Sequence, residues 1–241
     1  MNDIYEQLKG RTFDLWREEG LLKEKIHIRA RALTTREAIG DPEHHDFPIQ
    51  KGKEKLMQAT FRDAEGQAFT DRYGDYEGTL QQVLDLPLEN NHQRAVFVAS
   101  LNAVLRHLGL IDGTLHCRDE EPVHCGKALI PYLKDSYSGA RIAQVGFQPR
   151  MVENLSITHP LRVLDMDPDN IGKKKFGVAI ESADHTIDAV NWADLLLVTG
   201  TTLVNGTITP VLGSKPVIFY GTTIAGAAQL MGWERFCPCS H

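Results

Sequence analysis

The second half of the chain alternates short apolar runs with segments of helical periodicity, and this alternation restricts the possible folds more than any other feature. The apolar runs are RIAQVGF, LRVLDMDP, DLLLVTG and KPVIFYG. Helical segments are predicted for CGKALIPYLKDSY and SADHTIDAVNWA, near Pro149 and after Asn205. Strands that alternate with helices predict an α/β unit with a mostly parallel sheet, Rossmann-like in the broad sense.

The first half has a different pattern, which predicts an α+β unit. The first twenty residues carry apolar side chains at helical spacing, and further helices are predicted over residues 79–84 and 92–108. KIHIRARAL, from Lys25, alternates like a strand, and KLMQATF and QAFTDRY predict a hairpin with residues 63–66 as its turn. We therefore expect two domains, residues 1–115 and 116–241.

The polar segment of residues 36–55 is interrupted by glycine and proline, which predicts an exposed connection. It contains His44 and His45, and a solvated loop is a better interpretation of this pair than a metal site.

Composition excludes several classes of protein. A length of 241 residues and a hydrophobic share of 42% are enough for an ordinary core. The net charge is -6, and the densest basic run is only Lys173-Lys174-Lys175, so we expect no nucleic-acid partner. The sequence has no export signal and no apolar run of membrane-spanning length, which predicts a cytoplasmic protein with no membrane partner. Its four cysteines are then expected to be reduced thiols.

Three of the predicted strands end in turns that contain glycine, where ligands bind in sheets of this type. The residues concerned are Gly146; Thr199, Gly200, Thr201 and Thr202; and Gly221, Thr222 and Thr223. Glycine permits close approach of a ligand, although a tight turn with a capping threonine would also explain each site. The spacings G-x-G-x-x-G and G-x-x-x-x-G-K-[ST] do not occur, so neither NAD nor ATP is indicated.

Polar side chains accompany these turns. Asp165 and Asp167 close the second strand about 20 residues after Gly146, where a Rossmann-like fold places the carboxylate that binds a ribose hydroxyl. Capping of the turn before Pro168 is an equally good interpretation. Asn205 could orient a ligand through its amide, or cap the following helix.

The decapeptide HCRDEEPVHC, from His116 to Cys125, is a candidate metal site at the junction of the two domains. Cys117, Cys125, His116 and His124 are donors of the kind that bind zinc, nickel, copper or iron. If a helix starts near Cys125, its amides would lower the pKa of that thiol. The spacing Cys-x₇-Cys is not that of a zinc knuckle, and buried inert thiols remain the default interpretation.

The C-terminal segment CPCSH adds Cys237, Cys239 and His241, the same types of donor. These residues could fold back onto the junction and join the decapeptide. A flexible end is the simpler interpretation.

The segments GTLHCRDEEPVHC, RIAQVGFQPRMVE and DLLLVTGTTLVNGT, in this order, resemble the heavy-metal chelation domain family. The resemblance covers most of the chain, and TGTTLVNGT with GTLHC is its most specific part. It implies an enolase N-terminal-like α+β domain followed by a Rossmann-like domain, with the site in the cleft between them.

The resemblance implies that these positions match the functional positions of the family: Asn102, Cys117, Cys125, Gly146, Pro149, Thr199, Gly200, Thr201, Thr202, Asn205, Gly206 and Thr207. One turn departs from the family. The sequence YGTTIAG, from Tyr220, keeps small hydroxyl residues but lacks two prolines of the family pattern, which bears on ligand specificity there.

Two functions from different classes follow from the sequence. The first is handling of a transition metal or of a metal-chelating small molecule, with Cys117, Cys125 and His124 as donors. The second is an enzyme that acts on a nucleotide-like or other anionic metabolite, with Cys125 as nucleophile and Asp165 or Asp167 binding a hydroxyl pair. A binding protein without chemistry is a third interpretation, and a homo-oligomer is compatible with all three.

Overall fold

The computed structural model describes residues 4–29, 55–213 and 215–241, and its first part is built on a four-stranded antiparallel sheet. The strands are β1 (Lys25–Arg29), β2 (Lys55–Phe61), β3 (Ala64–Thr70) and β4 (Tyr76–Thr79), in the order β3-β2-β1-β4. The predicted strand from Lys25 and the predicted hairpin are both present. The expected connection over residues 36–55, with His44 and His45, lies outside the described residues except for its last position.

Among its described residues this part has three helices, close to the predicted positions: α1 (Ile4–Glu18), α2 (Leu80–Asp85) and α3 (Asn91–His107). Helix α1 buries Leu8, Thr12 and Trp16, the stripe that its periodicity indicates. The starts of α2 and α3 are fixed by side chains that accept hydrogen bonds from backbone amides, Thr79 from Gln82 and Asn90 from Gln93.

The turn predicted over residues 63–66 is wrong. Strands β2 and β3 are joined by Arg62 and Asp63 alone, and Arg62 adopts a left-handed φ of 53°. Gly66 lies inside β3, where a Cβ atom would overlap the backbone nitrogen of Ala103 in α3. Glycine at this position therefore marks the close approach of a helix to the sheet, not a turn.

The second part contains a seven-stranded sheet of order β11-β10-β9-β5-β6-β8-β7, parallel except for the β7–β8 pair. Its strands are β5 (Ile142–Val145), β6 (Leu161–Asp165), β7 (Lys174–Lys175), β8 (Val178–Ser182), β9 (Leu195–Thr199), β10 (Val217–Tyr220) and β11 (Glu234–Phe236). Its helices are α4 (Glu121–Tyr137), α5 (Pro149–Thr158), α6 (Thr186–Trp192), α7 (Thr201–Asn205) and α8 (Ala225–Met231). The four apolar runs form β5, β6, β9 and β10, so the predicted mixed α/β class with one mostly parallel sheet is confirmed.

Two helix positions differ from the prediction. Helix α4 begins at Glu121, four residues before Cys125, and Pro122 occupies its first turn. Helix α7 lies before the expected position and ends at Asn205, because Gly206 follows with a left-handed φ of 78°. Asn205 is thus the last residue of a helix and not the cap of the next one.

The parallel strands, in order of appearance, are arranged 3-2-1-4-5-6, which is the order of doubly wound sheets. After β8 the chain crosses to the other side of β5 and continues as β9. The segments that follow the neighbouring strands β5 and β9 therefore lie on opposite faces of the sheet. A crevice opens between them at the carboxyl ends of the two strands.

The two parts share one hydrophobic core. Every residue from 95 to 105 in α3 is buried, and α3 packs on β2 and β3 on one side and on α7 and α8 on the other. One continuous cluster includes Leu8 and Phe61 of the first part together with Leu196 and Phe219 of the second. In the described part of the chain, no helix has the length and apolar character needed to cross a membrane.

Candidate functional site

A cavity of about 460 Å³ opens at the carboxyl ends of four neighbouring parallel strands. The last residues of β5, β6, β9 and β10 all line it: Val145, Asp165, Thr199 and Tyr220. The first part of the chain completes the wall, with Phe69 at the end of β3 and Asn91 at the start of α3. The cavity therefore lies at the switch point of the sheet, between the two parts.

Gly146 forms the turn after β5 and has a φ of 93°, a conformation that disfavours side chains. A Cβ atom there would lie 2.6 Å from Cγ2 of Thr199. The hydroxyl of Tyr220 donates a hydrogen bond of 2.7 Å to the carbonyl oxygen of Gly146, which fixes the turn across β9. Both the backbone conformation and the crowding therefore require glycine at this point of the wall.

The turn after β9 carries three threonines that bond to one another. The hydroxyls of Thr199 and Thr201 are 3.0 Å apart, and the hydroxyl of Thr202 donates to the carbonyl oxygen of Thr199 at 2.8 Å. Gly200 permits close packing, since a Cβ atom would lie 2.7 Å from the backbone nitrogen of Ile224. These hydrogen bonds close the turn, and Thr199, Thr201 and Thr202 all line the cavity.

The carboxylate of Asp165 caps the turn that follows β6. It accepts hydrogen bonds from the amides of Met166 at 2.6 Å and Asp167 at 3.0 Å, and from Nδ2 of Asn170 at 2.8 Å. Asp167 accepts from the amide of Asp169 at 2.9 Å. The capping role considered from the sequence is therefore present, and both carboxylates also line the cavity.

His116 and Cys117 lie side by side in the cavity wall. Nδ1 of His116 is 2.6 Å from the carbonyl oxygen of Cys117, which can only accept, so Nδ1 carries the proton. Nε2 is then the ring nitrogen with a lone pair. The backbone amide of His116 donates to Oε1 of Gln67 at 2.7 Å, and the ring meets Phe69 edge-on at 5.2 Å between centroids.

Burial decides the protonation of this pair. It lowers the pKa of His116, so the imidazole is neutral at neutral pH. Burial, with a smaller contribution from the charge of Glu121, raises the pKa of Cys117 to about 12. The cavity wall thus holds a neutral imidazole beside a protonated thiol.

The position and environment of Cys125 differ from those predicted. It lies in the second turn of α4, is 6% exposed and does not line the cavity. Burial, followed by the neighbouring thiols, raises its pKa, where a position at a helix N-terminus would have lowered it. The nucleophile role suggested by the sequence finds no support in this environment. His124 is exposed on the same helix.

The C-terminal segment folds back onto the junction, one of the two alternatives left open by the sequence. The backbones of Leu115 and His241 exchange two hydrogen bonds, of 2.7 and 3.0 Å. Nε2 of His241 lies 2.8 Å from Oε2 of Glu121. Cys239 packs on the cluster that contains Cys125, and a hydrogen bond joins the two thiols. These thiols lie behind the cavity wall and do not face the cavity.

Asn102 does not lie at the cavity, where the resemblance implies a position for it. Its side chain is fully buried. Nδ2 donates to the carbonyl oxygens of Gln67 at 2.9 Å and Thr222 at 3.1 Å, and Oδ1 accepts from the amide of Gly226 at 2.8 Å. Asn102 therefore fastens α3 to the turn after β10, without contact with the cavity.

Most of the residues singled out in the sequence do line the cavity: His116, Cys117, Gly146, Asp165, Asp167, Thr199, Gly200, Thr201, Thr202, Asn205, Thr207, Gly221 and Thr223. The others do not: Asn102, Pro149, Gly206, Thr222, His124, Cys125, Cys237, Cys239 and His241. Phe69, Asp71, Asn91 and Asp119 also line the cavity and were not predicted from the sequence. Of these four residues, only Asp119 could have been found from the sequence, because it lies within the decapeptide of residues 116–125.

The side chains of this region do not form a complete metal site by themselves. Among the residues that the structure describes, no group of three or more His, Cys, Asp or Glu side chains is arranged to hold a metal ion. His116 and Cys117 are adjacent donors, so protein ligands could occupy only part of the coordination sphere of an ion in the cavity.

Residues 131–230 match a family model described as "Putative heavy-metal chelation". The family is DUF364. The resemblance deduced from the sequence is therefore confirmed by a match over this part of the chain, which includes the turns after β5, β6, β9 and β10. No curated protein matches the chain.

Two solved structures of the DUF364 family, both of proteins with unknown function, are similar to this chain. The protein from Pyrococcus horikoshii is 17% identical, with 92% of this chain and 79% of that chain covered and a TM-score of 0.55. The protein from Desulfitobacterium hafniense DCB-2 is 13% identical, with coverages of 73% and 72% and a TM-score of 0.49. At this identity the first likeness shows the shared fold alone.

Proposed function

We propose that the protein binds a heavy metal as a complex with a small organic chelator, in the cavity at the carboxyl ends of β5, β6, β9 and β10. The observation that carries the proposal is the state of His116. Its Nδ1 proton is held by the carbonyl oxygen of Cys117, and burial keeps the ring neutral. This is the usual arrangement of a metal-binding histidine, whose other ring nitrogen donates to a backbone carbonyl.

The donor set explains why a chelator is required. Imidazole nitrogen and cysteine sulfur suit zinc, nickel, copper or iron better than magnesium or calcium. Nε2 of His116 supplies one donor, and Sγ of Cys117 lies 3.9 Å from Nδ1 of the same ring. These ions take at least four ligands in most protein sites. Since the described residues contain no group of three that could hold an ion, the remaining positions are filled by the small molecule.

The size of the cavity supports the same proposal. A bare ion needs only a few cubic ångströms, whereas a cavity of about 460 Å³ is in the range of small-molecule sites. Its walls combine apolar side chains with threonine hydroxyls, which suits an organic molecule. The match of residues 131–230 to a family described by heavy-metal chelation favours a metal in that ligand.

The test compares His116→Ala with His124→Ala, its exposed neighbour outside the cavity. Binding of the 1:1 nickel(II) complex of 2,2′-bipyridine would be measured by calorimetry, beside nickel(II) alone. We expect His116→Ala to weaken binding of the complex by at least about tenfold and His124→Ala to leave it unchanged. Nickel(II) alone should bind more weakly than the complex. Undiminished binding in a His116→Ala/Cys117→Ser variant would overturn the proposal.

A further inference from the structure

The charged groups of the cavity wall have one sign. Four carboxylates line the cavity: Asp71, Asp119, Asp165 and Asp167. No lysine or arginine of the described chain lines it, so the carboxylates outnumber the one imidazole, that of His116, whatever its protonation state. The wall is therefore negative at neutral pH.

Among the described residues, the hydrogen bonds to Asp71 and Asp165 come from neutral groups only. Oδ1 of Asp71 accepts from Nδ2 of Asn91 at 2.7 Å, and Asp165 accepts from two backbone amides and from Nδ2 of Asn170. All of these donors are neutral groups. They orient the two carboxylates, and no described lysine or arginine forms an ion pair with either of them.

The remaining wall strengthens the effect of these charges. Phe69, Phe147, Leu164, Met166 and Tyr220 contribute large apolar surfaces to the same cavity. Apolar walls reduce the screening by water and concentrate the field of nearby charges in the space between them. The same surfaces offer apolar contact to an organic molecule but leave an anionic group without a favourable partner.

We propose that the ligand is a metal complex with a net positive charge, in which a divalent ion is held by a neutral, apolar nitrogen chelator. This inference rests on the proposed function and specifies the class of chelator. Complexes of polycarboxylate chelators, which are neutral or negative, are disfavoured by the wall. The same argument disfavours the anionic metabolite considered from the sequence, because a phosphate would lie beside the carboxylates of Asp71 and Asp165, and no lysine or arginine of the described chain lines the cavity.

The experiment uses one metal and three chelators that change the charge of the complex. Nickel(II) forms a doubly positive 1:1 complex with 2,2′-bipyridine, a neutral one with pyridine-2,6-dicarboxylate and a singly negative one with nitrilotriacetate. Affinity, measured by calorimetry at low ionic strength, should fall along this series. Added salt should weaken binding of the positive complex and have less effect on the neutral one.

The complexes also differ in the number of open coordination positions, so a variant is needed that changes charge alone. Asp71→Asn should weaken binding of the positive complex about three- to tenfold and leave the affinity for the negative complex unchanged or higher. Asp135→Asn, an exposed site on α4, is the matched control and should affect neither.

The outcomes separate this inference from the proposed function. Tightest binding of the negative complex, or an equal effect of Asp71→Asn on all three, would overturn the inference, while dependence on His116 would still support metal-complex binding. If none of the three complexes binds, or if binding does not depend on His116, the proposed function fails and this inference fails with it.

Discussion

Two histidines of one decapeptide, His116 and His124, have opposite environments. His116 packs against Phe69 in the cavity wall, where its backbone amide is held by Gln67. His124 lies eight residues later on an exposed face of α4. The difference arises because α4 starts at Glu121. His116 belongs to the segment before the helix, which lines the cavity, whereas His124 lies on the solvent-exposed face of the helix.

The environment of Cys117 leads to a prediction about its reactivity. Because the pKa of this thiol is raised to about 12, only a very small fraction is thiolate at neutral pH. In the folded, metal-free protein, the rate of its alkylation by iodoacetamide should therefore rise about tenfold per pH unit from pH 7 to 9. Peptide mass spectrometry would give the rates. In denaturant the rate should level off near the ordinary thiol pKa of about 8.5, and a plateau below pH 9 in the folded protein would contradict the prediction.

At the scale of elements, the site depends on two close approaches that glycine permits. Gly66 brings α3 onto β3, and Gly146 brings the turn after β5 against β9. The close approach at Gly66 positions the first part of the chain beside the parallel sheet. The close approach at Gly146 shapes the cavity wall. In both places the neighbouring atoms belong to a different element.

Gly66→Ala should destabilise the protein by about 2–4 kcal/mol, because the new methyl group must displace the backbone of α3. Gly10→Ala is the control within a helix. A Cβ atom at Gly10 meets no neighbouring atom within 4 Å, so this change should be neutral or should stabilise by up to about 1 kcal/mol. Urea unfolding would measure both, and equal stabilities of the two variants would show that α3 and β3 can separate at little cost.

The residues immediately before β5 and β9, Arg141 and Asp194, form an ion pair, with Nη2 of Arg141 2.7 Å from Oδ1 of Asp194. Hydrogen bonds from the side chain and the backbone of Arg141 lower the pKa of Asp194. A lowered carboxyl pKa stabilises the fold above the unfolded value of about 3.9, and the contribution is lost as the pH falls towards the folded value.

Asp194→Asn should therefore be less stable than the unmodified protein at pH 7 and pH 5, with a smaller difference at pH 3. The side chains of Arg141 and Asp194 are both exposed, so the change in stability is small. It is best measured as a difference in the urea midpoint of unfolding. Asp135→Asn should show no such dependence on pH. A difference that grows towards acid pH would contradict the assignment of this ion pair.

At the scale of the described molecule, two sheets of different kinds share one large hydrophobic cluster, and two smaller clusters lie within the second part. Helix α3 lies between them, and α1 extends the contact: the hydroxyl of Tyr5 donates to the carbonyl oxygen of Leu203 at 2.7 Å, and Arg11 to that of Leu230 at 2.6 Å. A large apolar interface of this kind restricts relative movement of the two parts. The cavity between them is therefore held in a fixed shape.

Unfolding should accordingly be a single cooperative transition, although the sequence predicts two domains. Calorimetric and van't Hoff enthalpies should agree within error. A fragment of residues 116–241 should not fold stably by itself, because the faces of α7 and α8 that pack on α3 would be exposed. Two separate transitions, or a stable isolated fragment, would show that the parts are independent.

Local patterns predict the elements well, but not the exact ends of several of them. The apolar runs of β5, β6, β9 and β10 and the stripe of α1 are visible because strand and helix periodicity involve neighbouring residues only. The turn assigned to residues 63–66 was wrong, because Gly66 reflects contact with α3 and the real turn uses Arg62 in an unusual conformation. Helix α7 was misplaced for a similar reason, since Gly206 ends it early.

The sequence by itself determined the parallel sheet and the glycine turns at its carboxyl ends, because strand length, periodicity and glycine are properties of short segments. It also indicated His116 and Cys117 as donors. Only the tertiary structure decided that these two face a cavity together with Asp71 and Asn91, while Cys125, Cys239 and Asn102 lie behind the wall. That division depends on contacts between residues far apart in the chain, which no local pattern encodes.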